Sequence, residues 1–299
     1  MNKILVLTGP TATGKSSLSI ELAEKFNLEI VNIDSMQVYK YFNIGTDKPD
    51  NTILEKYPHH LISYVEPDEF FDVKRYINDA DKIVENILSR KKIPLFVGGT
   101  GLYIKCFLFG IIAEESDDSK LREYFNQFSF EYLYSKLKII DYKSYKKIKK
   151  NDKYRTVRAL SYFYNSGKLI SEIREQHKFQ KPRYNYLKFA ISFNREELYE
   201  KINKRVDSMI EKGLIDETVN LIDRGYENTR PMNGIGYREI KLFLQGKLTK
   251  DSAINLIKQN TRKYAKRQIT WFKKENDITW INSQNKKSIF KKIENFLQD

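Results

Sequence analysis

Gly9-Pro10-Thr11-Ala12-Thr13-Gly14-Lys15-Ser16 decides how this chain is read. The stretch follows the apolar run Ile4-Leu5-Val6-Leu7 and opens a helical segment from Ser17 to Phe26. Glycine, four spacers, glycine, lysine and serine between a strand and a helix form the pattern of a phosphate-binding loop. The glycines let successive backbone N–H groups turn toward a phosphate, and the helix adds the positive end of its dipole. Lys15 supplies a point charge for the terminal phosphate, and Ser16 a hydroxyl for Mg²⁺. A glycine-rich turn that only closes a strand–helix connection requires neither side chain. The loop therefore predicts a diphosphate or triphosphate ligand and leaves the chemistry to the rest of the chain.

Outward from the loop, strands and helices alternate. Residues 3–8 form the first strand, and Leu28-Glu29-Ile30-Val31-Asn32-Ile33 a second that ends at Asp34-Ser35. A helix over 73–91 precedes the strand Ile93-Pro94-Leu95-Phe96-Val97, which runs into Gly98-Gly99-Thr100-Gly101. Strand character returns over 186–193. Helices follow at 195–212, 215–224 and 251–274, with a last short strand at 278–281. Short apolar strands alternating with helices imply a parallel sheet covered on both faces. Ligands of such sheets sit at the carboxyl ends of the strands, so the loop, Asp34-Ser35 and Gly99-Thr100 share one rim. The expected fold class is α/β, a P-loop NTPase-like parallel sheet core flanked by helices, with an inserted all-helical domain. Residues 1–113 and 186–299 make the catalytic core, and 114–185 the insert.

The formal charge of +14 over 299 residues points to a polyanionic partner. Its distribution is uneven. Lys143-Ser144-Tyr145-Lys146-Lys147-Ile148-Lys149-Lys150 is the strongest basic run, with Arg155 and Arg158 close behind. On the helix 251–274, Ile254, Ile257, Thr261, Tyr264, Ala265, Gln268 and Phe272 share one face, and Lys258, Arg262, Lys266 and Lys273 occupy another. Two separated basic regions favour a nucleic-acid groove over a merely solvated surface. No run of 18 apolar residues and no leader pattern occurs, so the expectation is a cytoplasmic protein without a membrane partner. Cys106 and the histidines His59, His60 and His177 offer neither a disulfide nor zinc-type spacing. A monomer is the default.

A phosphoryl-transfer protein carries a carboxylate at a strand end to help hold Mg²⁺. The strand 93–97 ends in glycines instead, and the acid on the rim is Asp34. A small-molecule kinase could use an aspartate there to activate its substrate, and a turn cap would need no chemistry at all.

Beyond Gly9–Ser16, the chain carries Ile33-Asp34-Ser35-Met36-Gln37-Val38-Tyr39-Lys40, Asn43-Ile44-Gly45-Thr46-Asp47-Lys48-Pro49 and Pro58-His59-His60-Leu61-Ile62. Val97-Gly98-Gly99-Thr100-Gly101-Leu102-Tyr103, Gly234-Ile235-Gly236-Tyr237-Arg238-Glu239 and Ala265-Lys266-Arg267-Gln268-Ile269-Thr270-Trp271-Phe272 follow. In these segments, which occur in family order, the chain resembles the tRNA dimethylallyltransferases. The resemblance implies transfer of a dimethylallyl group from dimethylallyl diphosphate to the exocyclic amine of the adenosine just 3′ of the anticodon. The acceptor is a tRNA reading codons that begin with U. The phosphate loop then holds a diphosphate leaving group, with Mg²⁺ partly on Ser16 and Arg205 reaching the same group.

By the same resemblance Asp34 is the base that takes a proton from the amine, and Thr100 contacts the reacting nucleotide. Ser35, Met36, Gln37, Arg122, Arg155, Arg158, Gly236, Tyr237 and Arg238 fall at tRNA-contacting positions. Tyr154 and Asn233 fall there too, but depart from the family pattern, since relatives often carry Gln at the first and Gln or Arg at the second. Rival readings are an ATP-using kinase, a prenyltransferase acting on free adenine nucleotides, and an RNA-binding GTPase-like switch. The switch would carry a guanine-reading N-K-x-D segment, which is not evident.

Overall fold

A computed structural model describes residues 2–111, 119–282 and 285–298. The chain divides into two compact units. One comprises the residues up to Ile104 and those from Tyr184 onward; the other is Lys105–Arg183. The boundary expected between 113 and 114 lies outside the described residues.

The larger unit is built on a six-stranded sheet. Its strands are β1 (Lys3–Thr8), β2 (Leu28–Asn32), β3 (His59–His60), β4 (Ile93–Val97), β5 (Asn185–Ile191) and β6 (Thr279–Ile281). The order is β3-β2-β4-β1-β5-β6, and every pair is parallel. β1 and β2 are buried almost throughout, as a sheet covered on both faces requires. On one side Leu5, Leu7, Leu18, Leu22, Ile30, Leu95, Phe189 and Ile191 form a core closed by Ile289 and Ile293. The helix Val73–Ser89 buries Tyr76, Ile77, Ala80, Val84 and Ile87. The Tyr76 hydroxyl donates to the Asn32 carbonyl at 2.8 Å, fixing this helix to the end of β2.

Several elements were not anticipated from the sequence, β3 and the last helix among them. β3 is only two residues long, too short to show a period, and pairs His59 and His60 with Ile30 and Val31. The helix Lys286–Gln298 is rich in lysine, yet Ile289 and Ile293 bury one turn apart, and Phe290 meets Phe26 edge-on at 5.7 Å.

The smaller unit is helical. Ser119–Asn126, Phe130–Ile140, Tyr142–Lys147, Lys153–Ser166 and Ile170–His177 pack around Leu133, Leu137, Val157, Leu160 and Ile170. Asp141 is its buried polar hub: it accepts from Ser144 N, Ser144 Oγ and Ser171 N at 2.7–3.1 Å, so it caps one helix while tying in another. Among the described residues no helix is long and apolar enough to cross a membrane.

Candidate active site

β1, β2 and β4 end side by side, and their carboxyl ends carry the predicted rim. After β1 the chain enters the phosphate loop, whose last glycine, Gly14, caps the helix Lys15–Phe26 at φ 86. A side chain there would be strained, so glycine is the residue that lets the helix begin directly at Lys15. Thr13 Oγ1 donates to the Pro10 carbonyl at 2.9 Å and holds the turn. Lys15 Nζ donates to the Gly9 and Pro10 carbonyls at 3.1 and 2.7 Å. Burial, reinforced by the neighbouring Arg205 charge, lowers the Lys15 ammonium to about 8, against the pull of Asp34 and Asp47. A buried lysine held this way is set to gain an anion.

Arg205 reaches the loop from the helix Arg195–Glu211. Its Nη1 donates to Thr11 Oγ1 at 2.6 Å and lies 3.3 Å from Asp47 Oδ2. From the helix Lys250–Phe272, Gln268 accepts from Thr11 N and donates to the Gly99 carbonyl, both at 2.9 Å.

Asp34 follows β2. Its Oδ1 accepts from Met36 N at 2.8 Å and Gln37 N at 3.3 Å. The turn-capping role is therefore real, but it uses only one carboxylate oxygen. Thr100, after β4, accepts at Oγ1 from Ser35 N at 3.2 Å, which joins the two strand ends. Burial first, then the Asp34 charge, pushes the nearby Tyr264 phenol well up, so it stays neutral.

The segment Asn43–Lys48 is organised by Glu217, which sequence reasoning did not single out, together with Tyr237. Glu217 accepts from Ile44 N at 2.9 Å, and the Tyr237 hydroxyl donates to Glu217 at 2.5 Å while accepting from Gly45 N at 3.0 Å. Glu239, fully buried, accepts from Gly236 N at 2.8 Å and from Arg238 Nη2 at 2.6 Å. Glu239 was quoted only as part of a motif; no local signal marked Glu217.

These groups surround one cavity of about 610 Å³. Its wall includes Thr11–Ser16, Asp34–Gln37, Asp47, Gly99, Arg205, Asn233, Tyr237, Arg238 and Tyr264. The phosphate loop, the acid of β2 and the residues after Pro231 thus meet in one place, with Thr100 bonded to its wall. Among the described residues no three His, Cys, Asp or Glu side chains cluster to hold a metal by themselves. The exposed Ser16, in the first turn of its helix, and the carboxylates of Asp34 and Asp47 on the same wall are hard oxygen donors, which suits a cation that arrives with phosphate oxygens.

The cationic face expected on the helix Lys250–Phe272 is partly spent. Lys258 pairs with Asp207 at 2.5 Å and Arg262 donates to Asn203 at 2.6 Å, whereas Lys266 and Lys273 remain exposed.

In the helical unit, Arg122 lies on the helix Ser119–Asn126, while Tyr154, Arg155 and Arg158 lie on Lys153–Ser166. Tyr154 is 69% exposed, and Arg155 pairs with Asp152 at 2.6 Å. Burial first, then the Arg158 charge and more weakly that of Arg155, lowers the Arg174 guanidinium against the pull of Asp141. These arginines feel one another's charge, with Asp141 and Asp152 as partial counter-charges. Burial pushes the Cys106 thiol up to about 11, so it behaves as a small apolar residue.

The family model described as IPP transferase matches residues 37–275. The chain belongs to this family, the tRNA dimethylallyltransferases. A second model, isopentenyl transferase, matches residues 2–63. The tRNA dimethylallyltransferase of Acetivibrio thermocellus is 43% identical over 301 residues, which cover 99% of this chain and 96% of the relative. That of Halothermothrix orenii is 40% identical over 99% of this chain and 93% of its own. Among solved structures, the tRNA delta(2)-isopentenylpyrophosphate transferase of Staphylococcus epidermidis superposes with a TM-score of 0.74 at 36% identity, covering 99% of both chains. A eukaryotic dimethylallyltransferase acting on tRNA superposes with a TM-score of 0.83 at 31% identity, over 95% of this chain and 74% of the other. Membership in the IPP transferases disposes of the kinase and GTPase readings.

Proposed function

We propose that this protein transfers the dimethylallyl group of dimethylallyl diphosphate to N6 of the adenosine immediately 3′ of the anticodon, in tRNAs reading codons that begin with U. The observation that carries the proposal is the shared cavity, in which the phosphate loop and Asp34 face the same space.

The allylic carbon–oxygen bond breaks with its electron pair leaving on pyrophosphate, and the N6–carbon bond forms in its place. The loop amides from Ala12 to Ser16, Lys15 and Arg205 offer preorganised positive charge to the departing diphosphate, where such stabilisation counts most. The attacking amine is weakly basic because its lone pair is shared with the purine ring. The Asp34 carboxylate accepts its hydrogen bond, aims it and takes the proton released when the new bond forms. Thr100 holds Ser35, and with it the turn that presents Asp34. Ser16 would hold Mg²⁺ together with diphosphate oxygens. When bound, that cation neutralises charge on the leaving group.

The acceptor base must leave its stack to enter the cavity, which costs less in a loop than in a duplex. Ser35, Met36, Gln37, Asn233, Gly236 and Arg238 then contact the nucleotides around it, while Tyr237, fully buried, supports the Gly45 backbone behind them. The insert 114–185 is the RNA-holding domain, with Arg122, Tyr154, Arg155 and Arg158 on phosphates and bases. The protein works as a cytoplasmic monomer.

The experiment is to mix protein, Mg²⁺, dimethylallyl diphosphate and an anticodon stem-loop, and to weigh the RNA. A gain of one dimethylallyl unit at the target adenosine is expected. Efficient gain on free AMP with none on RNA would reassign the acceptor to a nucleotide.

A further inference from the structure

The cavity that takes the diphosphate also holds a carboxylate that no step above uses. Asp47 shares its wall with Lys15 and Arg205, and its Oδ2 lies 3.3 Å from Arg205 Nη1. The same nitrogen donates to Thr11 Oγ1, so Asp47, Arg205 and the phosphate loop are in series. A carboxylate in an anion site opposes its ligand.

The backbone holds this acid in place at a cost. Asp47 has φ 54, in the left-handed region that side-chain-bearing residues rarely adopt. Its segment is clamped from both sides. Gln37 Nε2 donates to the Thr46 and Asp47 carbonyls at 3.0 and 3.1 Å, and Asp47 N donates to the Ile44 carbonyl at 3.0 Å. Glu217 anchors Ile44 and Gly45 from beneath. The fold therefore fixes the backbone that presents the half-exposed Asp47 carboxylate to Arg205.

We propose that Asp47 is a built-in counter-charge for the pyrophosphate product. It competes with pyrophosphate for Arg205, so the loop grips the leaving group without retaining it, and the site is freed for the next donor. Pyrophosphate has one more ionisable oxygen than the diphosphate ester, so the neighbouring acid weakens the product at least as much as the donor. Asp47 acts through Arg205 and is a positioning residue. The inference rests on the reading that the diphosphate group occupies the phosphate loop.

The test is calorimetric titration of inorganic pyrophosphate, in excess Mg²⁺ and again without it, into wild-type protein, Asp47→Asn and Asp207→Asn. Asparagine keeps the shape of aspartate and tolerates the left-handed backbone. Asp47→Asn is expected to bind pyrophosphate about twofold to fivefold more tightly, the range of a partly exposed ion pair, with the gain shrinking as salt rises. Product inhibition of transfer rises in parallel. Asp207→Asn deletes the same charge beside Lys258, off the cavity wall, and leaves pyrophosphate affinity unchanged. Structural damage at residue 47 would loosen binding, so the sign separates the two causes. Unchanged or weaker binding by Asp47→Asn overturns the proposal, and weakening confined to Mg²⁺ buffer would make Asp47 a metal ligand instead. If the wild-type protein binds no pyrophosphate at all, the donor-site reading falls with it.

Discussion

Gln268 fills the space that a side chain at Gly99 would need. An ideal Cβ on Gly99 would lie 2.2 Å from Gln268 Nε2, which donates to the Gly99 carbonyl at 2.9 Å. Because Gln268 Oε1 also accepts from Thr11 N, one buried amide sets the spacing between the phosphate loop and the end of β4. Gln268→Leu leaves both backbone groups without this partner. It should lower unfolding free energy by about 1–3 kcal/mol, read from denaturant curves, and weaken pyrophosphate binding as the loop relaxes.

Lys15 gives the donor site a pH limit. Its ammonium loses its proton near pH 8 instead of at the ordinary 10.5, because it is buried beside Arg205. An anion binds the charged form, so pyrophosphate affinity should be full below about pH 8 and fall as pH rises through it. Lys15→Arg stays charged across this range and should lack that inflection, whatever its absolute affinity. A pH series of binding constants for the two proteins checks this.

Glu29, far from the cavity at the other end of β2, should govern part of the acid stability. Burial pushes its carboxyl up, but hydrogen bonds from Arg90, His60 and Lys92 outweigh burial and hold it at about 2. His60 Nε2 lies at 2.7 Å, Lys92 Nζ at 3.0 Å and Arg90 Nη2 at 2.8 Å. A carboxyl depressed in the folded state stabilises above its unfolded value, and that contribution disappears as pH falls from about 4.5 to about 2. Glu29→Gln should be less stable at neutrality and flatter across that window, which unfolding midpoints against pH will show.

The helical unit should contribute RNA affinity without chemistry. Replacing Arg158 with alanine removes one charge from its cluster with Arg155 and Arg174. Stem-loop binding should weaken at low salt, and the slope of log affinity against log salt should fall by about 0.7–1. Pyrophosphate binding should not change. Equal slopes for wild type and variant would remove Arg158 from the phosphate contacts.

What was legible in the sequence was whatever is fixed by neighbours along the chain. The phosphate loop is a local spacing, and β1, β2 and β4 are short apolar runs, so their shared rim followed from parallel order. Asp34 and Thr100 fell on that rim because each directly follows or nearly follows a strand. Contacts across long stretches of chain left no such trace. Glu217 organises backbone 173 residues away, and Gln268 looked like one more residue on the inner face of a helix. Charge was over-read for the same reason: Lys258 and Arg262 find partners on the neighbouring helix, which their own periodicity does not reveal.

The most direct test of the chemistry is single-turnover transfer by wild-type protein and Asp34→Asn, following prenylated stem-loop and released pyrophosphate together. The two products should appear in equal amounts with wild type. Asp34→Asn should retain pyrophosphate binding and transfer about 10²- to 10⁴-fold more slowly, the range for removing a general base. Transfer by Asp34→Asn within a few-fold of wild type would contradict the assignment of the proton to this carboxylate.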